Sequence, residues 1–351
     1  MKTLRYAVDP DEMQSAEAQH VLDQIAAILR RGGTVALPTE TVYGLGANAL
    51  DATAVVAIFA AKERPAWDPV IVHVADEAML RSVVAEVPEG AQRLIKAFWP
   101  GPLTLLLPRS EAVPDSVTAG RPLVAVRMPA HPVMLEAIRR AGVPVAAPSA
   151  NRFGHVSPTT AAHVLEDLDG RIDAVVDAGL AVHGVESTVV DPNLSPMMIY
   201  RPGAVTIEQI RAIVRDVEFY GERQKLVSDS VESLPSPGVG IRHYAPRAKL
   251  MLIEGDPGEL VSRLRDKAGE LTSERVGVMW PNGLQGDTAE LGAVEIFLWG
   301  RWGYPEELAQ QVFAGLRALD AAGCSVILCP MPPEDGIGRA IRDRLRKAAR
   351  A

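Results

Sequence analysis

With 351 residues, 48% hydrophobic and 23% charged, the chain has a globular composition and the length of two domains. Its two cysteines, Cys324 and Cys329, exclude a disulfide framework or a Cys-rich zinc module and suit a reducing compartment. A net charge of −8, from 36 basic and 44 acidic side chains, argues against extensive phosphate tracking along nucleic acid.

No apolar run reaches the roughly 18–20 residues of a membrane span, and Met1 to Pro10 lacks the apolar stretch of a signal peptide. A soluble, cytoplasmic protein is expected, with no membrane partner. The first part alternates helical and extended patterns. Ala16 to Arg31 carries Val21, Leu22, Ile25, Ile28 and Leu29 at helical spacing and is stopped by Gly32-Gly33. Thr34 to Pro38 then reads as a buried strand. Further strands are expected at Val70 to Val74, Leu103 to Leu107, Leu123 to Arg127, Val143 to Ala147, Ala174 to Asp177, Ser187 to Val190 and Met197 to Arg201. Helices fall between them at Ala52 to Glu63, Pro88 to Trp99, Pro132 to Arg140, Thr159 to Leu168 and Ile207 to Val214.

From Tyr220 to about Arg247 the pattern lapses, and Ser233 to Gly240 has the Pro/Gly/Ser texture of a linker. Strand and helix then alternate again from Lys249 to Ala349, the order of a small open parallel sheet with right-handed crossovers. The fold expected is α/β: residues 1–218 as one domain, 219–247 as linker, and 248–351 as a second, Rossmann-like α/β domain. The first 218 residues hold 19 basic against 26 acidic side chains, a net −7, so an anion site there must be assembled from a few converging cations.

Several strand ends are richer in polar groups than packing demands. Pro38 to Gly46 offers Thr39, Thr41, Tyr43 and two glycines; either the glycines admit a ligand close to the backbone or this is an ordinary strand-to-helix turn. Lys62 and Arg64 end a helix, where cations commonly offset the helix dipole. Pro65 nevertheless turns the chain straight into Asp68 and a buried-looking strand, and a Lys and an Arg so placed suit a polyphosphate. Ser149, Asn151 and Ser157 sit at strand and helix junctions, as turn caps or as ligand contacts. Arg127 closes an apolar strand, where an unpaired guanidinium is costly, so it is expected to face an anion. The G-x-x-x-x-G-K-[ST] phosphate loop is missing, and the seven histidines do not cluster with carboxylates at ligand spacing, so no metal site from protein side chains is expected.

Taken together these stretches resemble the YrdC-like threonylcarbamoyl-AMP synthase family. The likeness rests on PTETVYGLGANA from Pro38, K-x-R at Lys62 and Arg64, WPGPLT from Trp99, VTAG from Val117 and VRMPAHP from Val126. It continues with S-x-N at Ser149 and Asn151, ESTVV from Glu186 and RPG from Arg201. HYAP at His243 to Pro246, after the linker, is similar to the long, two-domain form. The resemblance implies a twisted sheet around an open cavity and an ATP-dependent nucleotidyltransferase. Such an enzyme makes threonylcarbamoyl-AMP and pyrophosphate from ATP, L-threonine and bicarbonate for tRNA modification, with Mg2+ arriving on ATP. Downstream tRNA threonylcarbamoyl-transferase proteins would be its partners, without a stable nucleic-acid complex.

Carried over by motif, Lys62 and Arg64 would be catalytic and hold the triphosphate, with Asp68, Leu123, Ser149, Asn151, Ser157, Arg201, Gly240 and His243 completing the ATP site. Asp68 stands where a small polar residue is expected, and Leu123 and Gly240 would contribute backbone. Thr41, Tyr43, His73, Arg127, Ala147 and Ser187 would line the L-threonine end. The linker, ending in Arg242-His243-Tyr244, is expected to act as a lid. A related hydrogenase-maturation carbamoyltransferase would need zinc fingers that two cysteines cannot supply. A noncatalytic RNA-binding module is the other alternative, disfavoured by the −7 charge.

Overall fold

The computed structural model describes residues 2–220, 244–284 and 286–350. Residues 221–243 of the expected linker or lid, Gly240 and His243 among them, therefore lie outside the described residues. The described residues form two compact units. One draws on Met1–Phe153, Pro158–Val182 and Glu186–Gly240, the other on Gly154–Ser157, His183–Val185 and Ile241–Ala351. Two short stretches before residue 218 thus group with the second unit.

The first unit contains β1 (Leu4–Ala7), α1 (Ala16–Arg30), β2 (Val35–Leu37), β3 (Gly44–Asn48), α2 (Ala52–Lys62), β4 (Ile71–His73), α3 (Glu77–Val83), α4 (Glu89–Phe98) and β5 (Leu103–Pro108). There follow α5 (Asp115–Thr118), β6 (Leu123–Arg127), α6 (Pro132–Ala141), β7 (Val145–Ala146), α7 (Ala161–Leu168), β8 (Ala174–Asp177), β9 (Thr188–Asp191), β10 (Met197–Arg201), α8 (Ile207–Ile213) and β11 (Val217–Phe219). The strands make one mixed sheet in the order β1-β8-β2-β3-β7-β4-β6-β5-β9-β10-β11. Local signals set the helix limits. Ser15 caps α1 by accepting from Ala18 N–H, and Asp51 caps α2 through Thr53 and Ala54 N–H. Glu63 ends α2 in the left-handed region at φ 54°.

Alternation along the strands separates two faces. Ala36, Leu45, Ala146, Val72, Val126, Leu105 and Val190 belong to the larger core. On the opposite face, Leu37, Val145, Ala147 and Val176 pack with residues of α1 and α6. Farther along that same face the apolar cluster shrinks to Ile71, Leu106, Ala125 and Val189, with Leu123 and Tyr200 against it. All six lie on strands. By the same alternation His73, Arg127 and Thr104 share this face.

The second unit contains β12 (Lys249–Ile253), α9 (Pro257–Glu270), β13 (Val276–Asn282), β14 (Glu295–Arg301), α10 (Pro305–Ala321), β15 (Val326–Pro330) and α11 (Gly338–Ala348). Its four strands run parallel in the order β12-β15-β13-β14, as the alternation of elements leads one to expect.

Within the first unit the expected elements form with ends shifted by only a few residues, but several elements have no counterpart in the sequence reading: β1, β3, β11, α3 and α5. The strand β3 corrects the reading of Pro38 to Gly46 as a turn into a helix. Gly44–Asn48 instead returns antiparallel to β2, and its glycines serve packing. A Cβ on Gly46 would sit 2.9 Å from Val145 Cγ1, and one on Gly44 would sit 3.3 Å from Ala147 Cβ.

Candidate functional site

The β2–β3 hairpin loop is pinned by its own hydroxyls. Thr39 Oγ1 donates to Val42 O at 2.6 Å and accepts from the N–H groups of Thr41 and Val42. With that proton committed, Thr41 is the donor in the 2.8 Å Thr39–Thr41 contact. Arg127 Nη1 donates to Thr41 Oγ1 at 3.0 Å, so the hydroxyl expected to meet threonine is already engaged on both sides. The anion that Arg127 faces is the Glu40 carboxylate, 3.6 Å from Nη2 and buried like Arg127 itself. Among the described residues, neither oxygen of Glu40, nor Arg127 Nε, has a hydrogen-bond partner. His73 lies beside Arg127 in register on β4. Burial, then the Arg127 charge, holds its imidazole well below the usual histidine range, so it is neutral. Burial also lowers His131, against the pull of Glu40.

A second charged group gathers around Asp68. Lys62 Nζ, almost wholly buried, donates to the carbonyls of Ser149 and Asn151, each at 2.5 Å. Burial and the neighbouring Arg64 push its pKa well below the lysine range. Arg64 donates to Asp68 O (3.2 Å) and Pro69 O (2.8 Å) and pairs with the Asp68 carboxylate at 2.9 Å. Burial raises the Asp68 pKa although four cations act on it: Arg64, Lys62, Arg121 and Arg201. Lys62 and Arg64, expected to hold the triphosphate, are engaged with protein oxygens here. Asp68 is turned to Arg64.

Arg201 links the two groups. Its Nε donates to Ser187 O and its Nη2 to Ser187 Oγ, each at 3.0 Å. Ser187 Oγ lies 2.7 Å from Thr104 Oγ1. The strand β5 pairs Leu105 with Val126, so one step on, Thr104 stands opposite Arg127. His73, Arg127, Thr104, Ser187 and Arg201 thus form one polar row across β4-β6-β5-β9-β10, above the small apolar cluster. Four inter-strand gaps make this row roughly 19 Å long, more than one amino acid fills. Gly203 lets the chain close on it. A Cβ there would lie 2.4 Å from backbone atoms of Glu186, Ser187 and Thr188.

Other expected residues have less defined roles. Tyr43 is fully buried, and its hydroxyl donates to Gly179 O at 2.7 Å and accepts from Ala178 N–H, a bracing role. Ala147 is tied to the row's edge by its N–H on Ile71 O, and Leu123 packs on the small apolar cluster. Ser149 bridges Gly44, and Asn151 donates to Arg152 O. Ser157 is buried and groups with the second unit. Sequence reasoning missed Glu40, Arg121, His131 and Thr104. The PTET stretch held the signal for Glu40, a carboxylate between two threonines after a buried strand. Among the described residues no group of three or more His, Cys, Asp or Glu stands ready to hold a metal ion. No described helix is long and apolar enough to cross a membrane.

The two units together define an α/β protein with one extended, buried, charge-lined site on its larger sheet. Residues 27–203 match the Sua5/YciO/YrdC family described as "Telomere recombination", and residues 205–350 match "Threonylcarbamoyl-AMP synthase, C-terminal domain". A threonylcarbamoyl-AMP synthase of Pyrococcus abyssi is 42% identical over 92% of either chain. That of Bacillus subtilis is 42% identical over 99% of this chain and 98% of its own. The crystal structure of P. abyssi Sua5 complexed with L-threonine superposes with a TM-score of 0.89 at 39% identity, covering 99% of this chain and 98% of that one. The chain belongs to the Sua5/YciO/YrdC family, in the two-domain form of the threonylcarbamoyl-AMP synthases.

Proposed function

We propose that the protein is an L-threonylcarbamoyladenylate synthase that joins L-threonine, bicarbonate and ATP, releases pyrophosphate and supplies tRNA modification. The observation that carries this is the continuous row from His73 to Arg201, with a guanidinium–carboxylate pair at one end and four cations around one carboxylate at the other. The amine of threonine captures bicarbonate as a carbamate with loss of water. A carbamate oxygen then attacks the α-phosphorus of ATP in line, and pyrophosphate leaves. Such a displacement needs charge neutralisation and positioning more than a protein nucleophile.

The Lys62, Arg64, Arg121 and Arg201 charges suit the phosphates, while Ser149 and Asn151 lie beside them through Lys62. Arg127 suits the threonine carboxylate as a planar fork. Because the Thr41 and Ser187 hydroxyls are already engaged, the substrate hydroxyl meets neutral His73 in preference. Mg2+ enters as the counter-ion of ATP. Downstream proteins that transfer the threonylcarbamoyl group to tRNA are the partners this product requires.

The test is pyrophosphate release with all three substrates and with each omitted in turn. Release that needs all three supports the reading. RNA binding without turnover would instead favour a noncatalytic module.

A further inference from the structure

We infer that Glu40 is the acceptor for the α-ammonium of the substrate amino acid, completing with Arg127 a two-point clamp on an α-amino acid zwitterion. The inference rests on the threonine reading above and adds to it a residue and a chemical role.

Glu40 sits at the tip of a loop fixed by Thr39, so its carboxylate is held in place without help from a ligand. It is 6% exposed, and both oxygens lack a hydrogen-bond partner among the described residues. A buried carboxylate left so is costly, and such groups in native proteins are ordinarily satisfied. The Arg127 contact does not satisfy it: 3.6 Å is an ion-pair distance, beyond hydrogen-bond reach. Arg127 likewise keeps Nε unused while Nη1 is spent on Thr41. Each member of the pair therefore retains bonding capacity beside the other, one an acceptor and one a donor.

An α-amino acid presents the complementary arrangement, a carboxylate and an ammonium on adjacent bonds of one carbon. Laid against the pair head to tail, its carboxylate meets Arg127 and its ammonium meets Glu40. None of the other groups nearby offers the ammonium a negative charge. His73 is held neutral, burial pushes His131 away from its cationic form, and Thr41 has committed its hydroxyl, so Glu40 is the charged acceptor beside Arg127. Among the described residues no other carboxylate pairs with Arg127.

A bland role is available to Glu40, that of orienting Arg127, and the experiment separates the two. Binding of L-threonine and of its deamino analogue (3R)-3-hydroxybutanoate is measured by calorimetry on the full chain, wild type and Glu40→Gln. The wild type is expected to favour threonine. The variant is expected to lose threonine affinity about ten- to hundred-fold, the worth of one charge-assisted hydrogen bond, while its affinity for the analogue changes less than about threefold. Parallel losses for both ligands would overturn the clamp and leave Glu40 as a support for Arg127. No threonine binding by the wild type would overturn the substrate reading itself, and the clamp with it. Should Glu40→Gln fold poorly, Glu40→Asp serves. It keeps the charge, so it is expected to retain part of the preference for threonine, and equal affinities for the two ligands would contradict the inference.

Discussion

The two units bury their polar groups very differently. In the larger one, Glu40, Lys62, Asp68, His73, Arg127, Glu186 and Arg201 are all buried. In the smaller one Arg344 is the buried charged side chain among the described residues, and it pairs locally with Asp343. Otherwise the smaller unit keeps its charges in water. The larger one repeatedly buries them, on and beside one row of one sheet face. Buried charge costs stability and is held only where other groups compensate it, so the contrast makes the larger unit the candidate place for the chemistry.

Three changes would break or sharpen this contrast. The largest expected effect falls on the smaller unit and on stability alone. Trp299 is fully buried there, with Nε1 donating to Leu308 O at 2.8 Å. Trp299→Ala is expected to cost about 3–5 kcal/mol, read as an earlier unfolding transition in urea. The kcat/KM per folded molecule should stay near wild type; a large fall would assign chemistry to the smaller unit. Next, Lys62→Ala and Arg64→Ala should each reduce kcat/KM roughly ten- to hundred-fold, about 1.5–3 kcal/mol, with the fold retained by circular dichroism. Near-normal turnover in both would remove the Asp68 cluster from the mechanism.

The smallest effect is a pH dependence. His73 and His131 have folded-state pKa values below the ordinary histidine value. Below about pH 6.5 the unfolded chain takes up protons that the folded one refuses, so stability falls as pH drops. The slope is at most about 1.4 kcal/mol per pH unit for each group. His73→Gln should flatten the decline between about pH 6.5 and 5.5 in urea titrations. An unchanged slope would mean that His73 is not held neutral.

Much of the architecture was legible in the sequence because it rests on local signals. The apolar spacing of α1, the run Val124 to Val126 in β6, and the Gly142 stop after α6 at φ 67° each act within a few residues. Elements that depend on distant partners were not. The strand β1 is mostly exposed and exists by pairing with β8, some 170 residues away. The strand β3 is strand because Gly46 makes room for Val145. The site divides in the same way. Arg127 was legible as a cation ending an apolar strand, and its need for an anion could be deduced. That the anion is Glu40 could not, since a loop and a strand more than 80 residues apart bring them together. Nor does sequence reveal that Lys62 spends its ammonium on the carbonyls of Ser149 and Asn151.

The central claim is that one row of buried charge holds two substrates, the amino acid at Arg127 and the nucleotide near Asp68. Its most direct measurement is the pair of substrate KM values in two variants, Arg127→Lys and Arg64→Ala. A single ammonium cannot reproduce a bidentate fork, so Arg127→Lys should raise the threonine KM well above its effect on the ATP KM. Arg64→Ala should do the reverse. A crossed pattern is the predicted result, and equal shifts of both KM values in both variants would contradict the account.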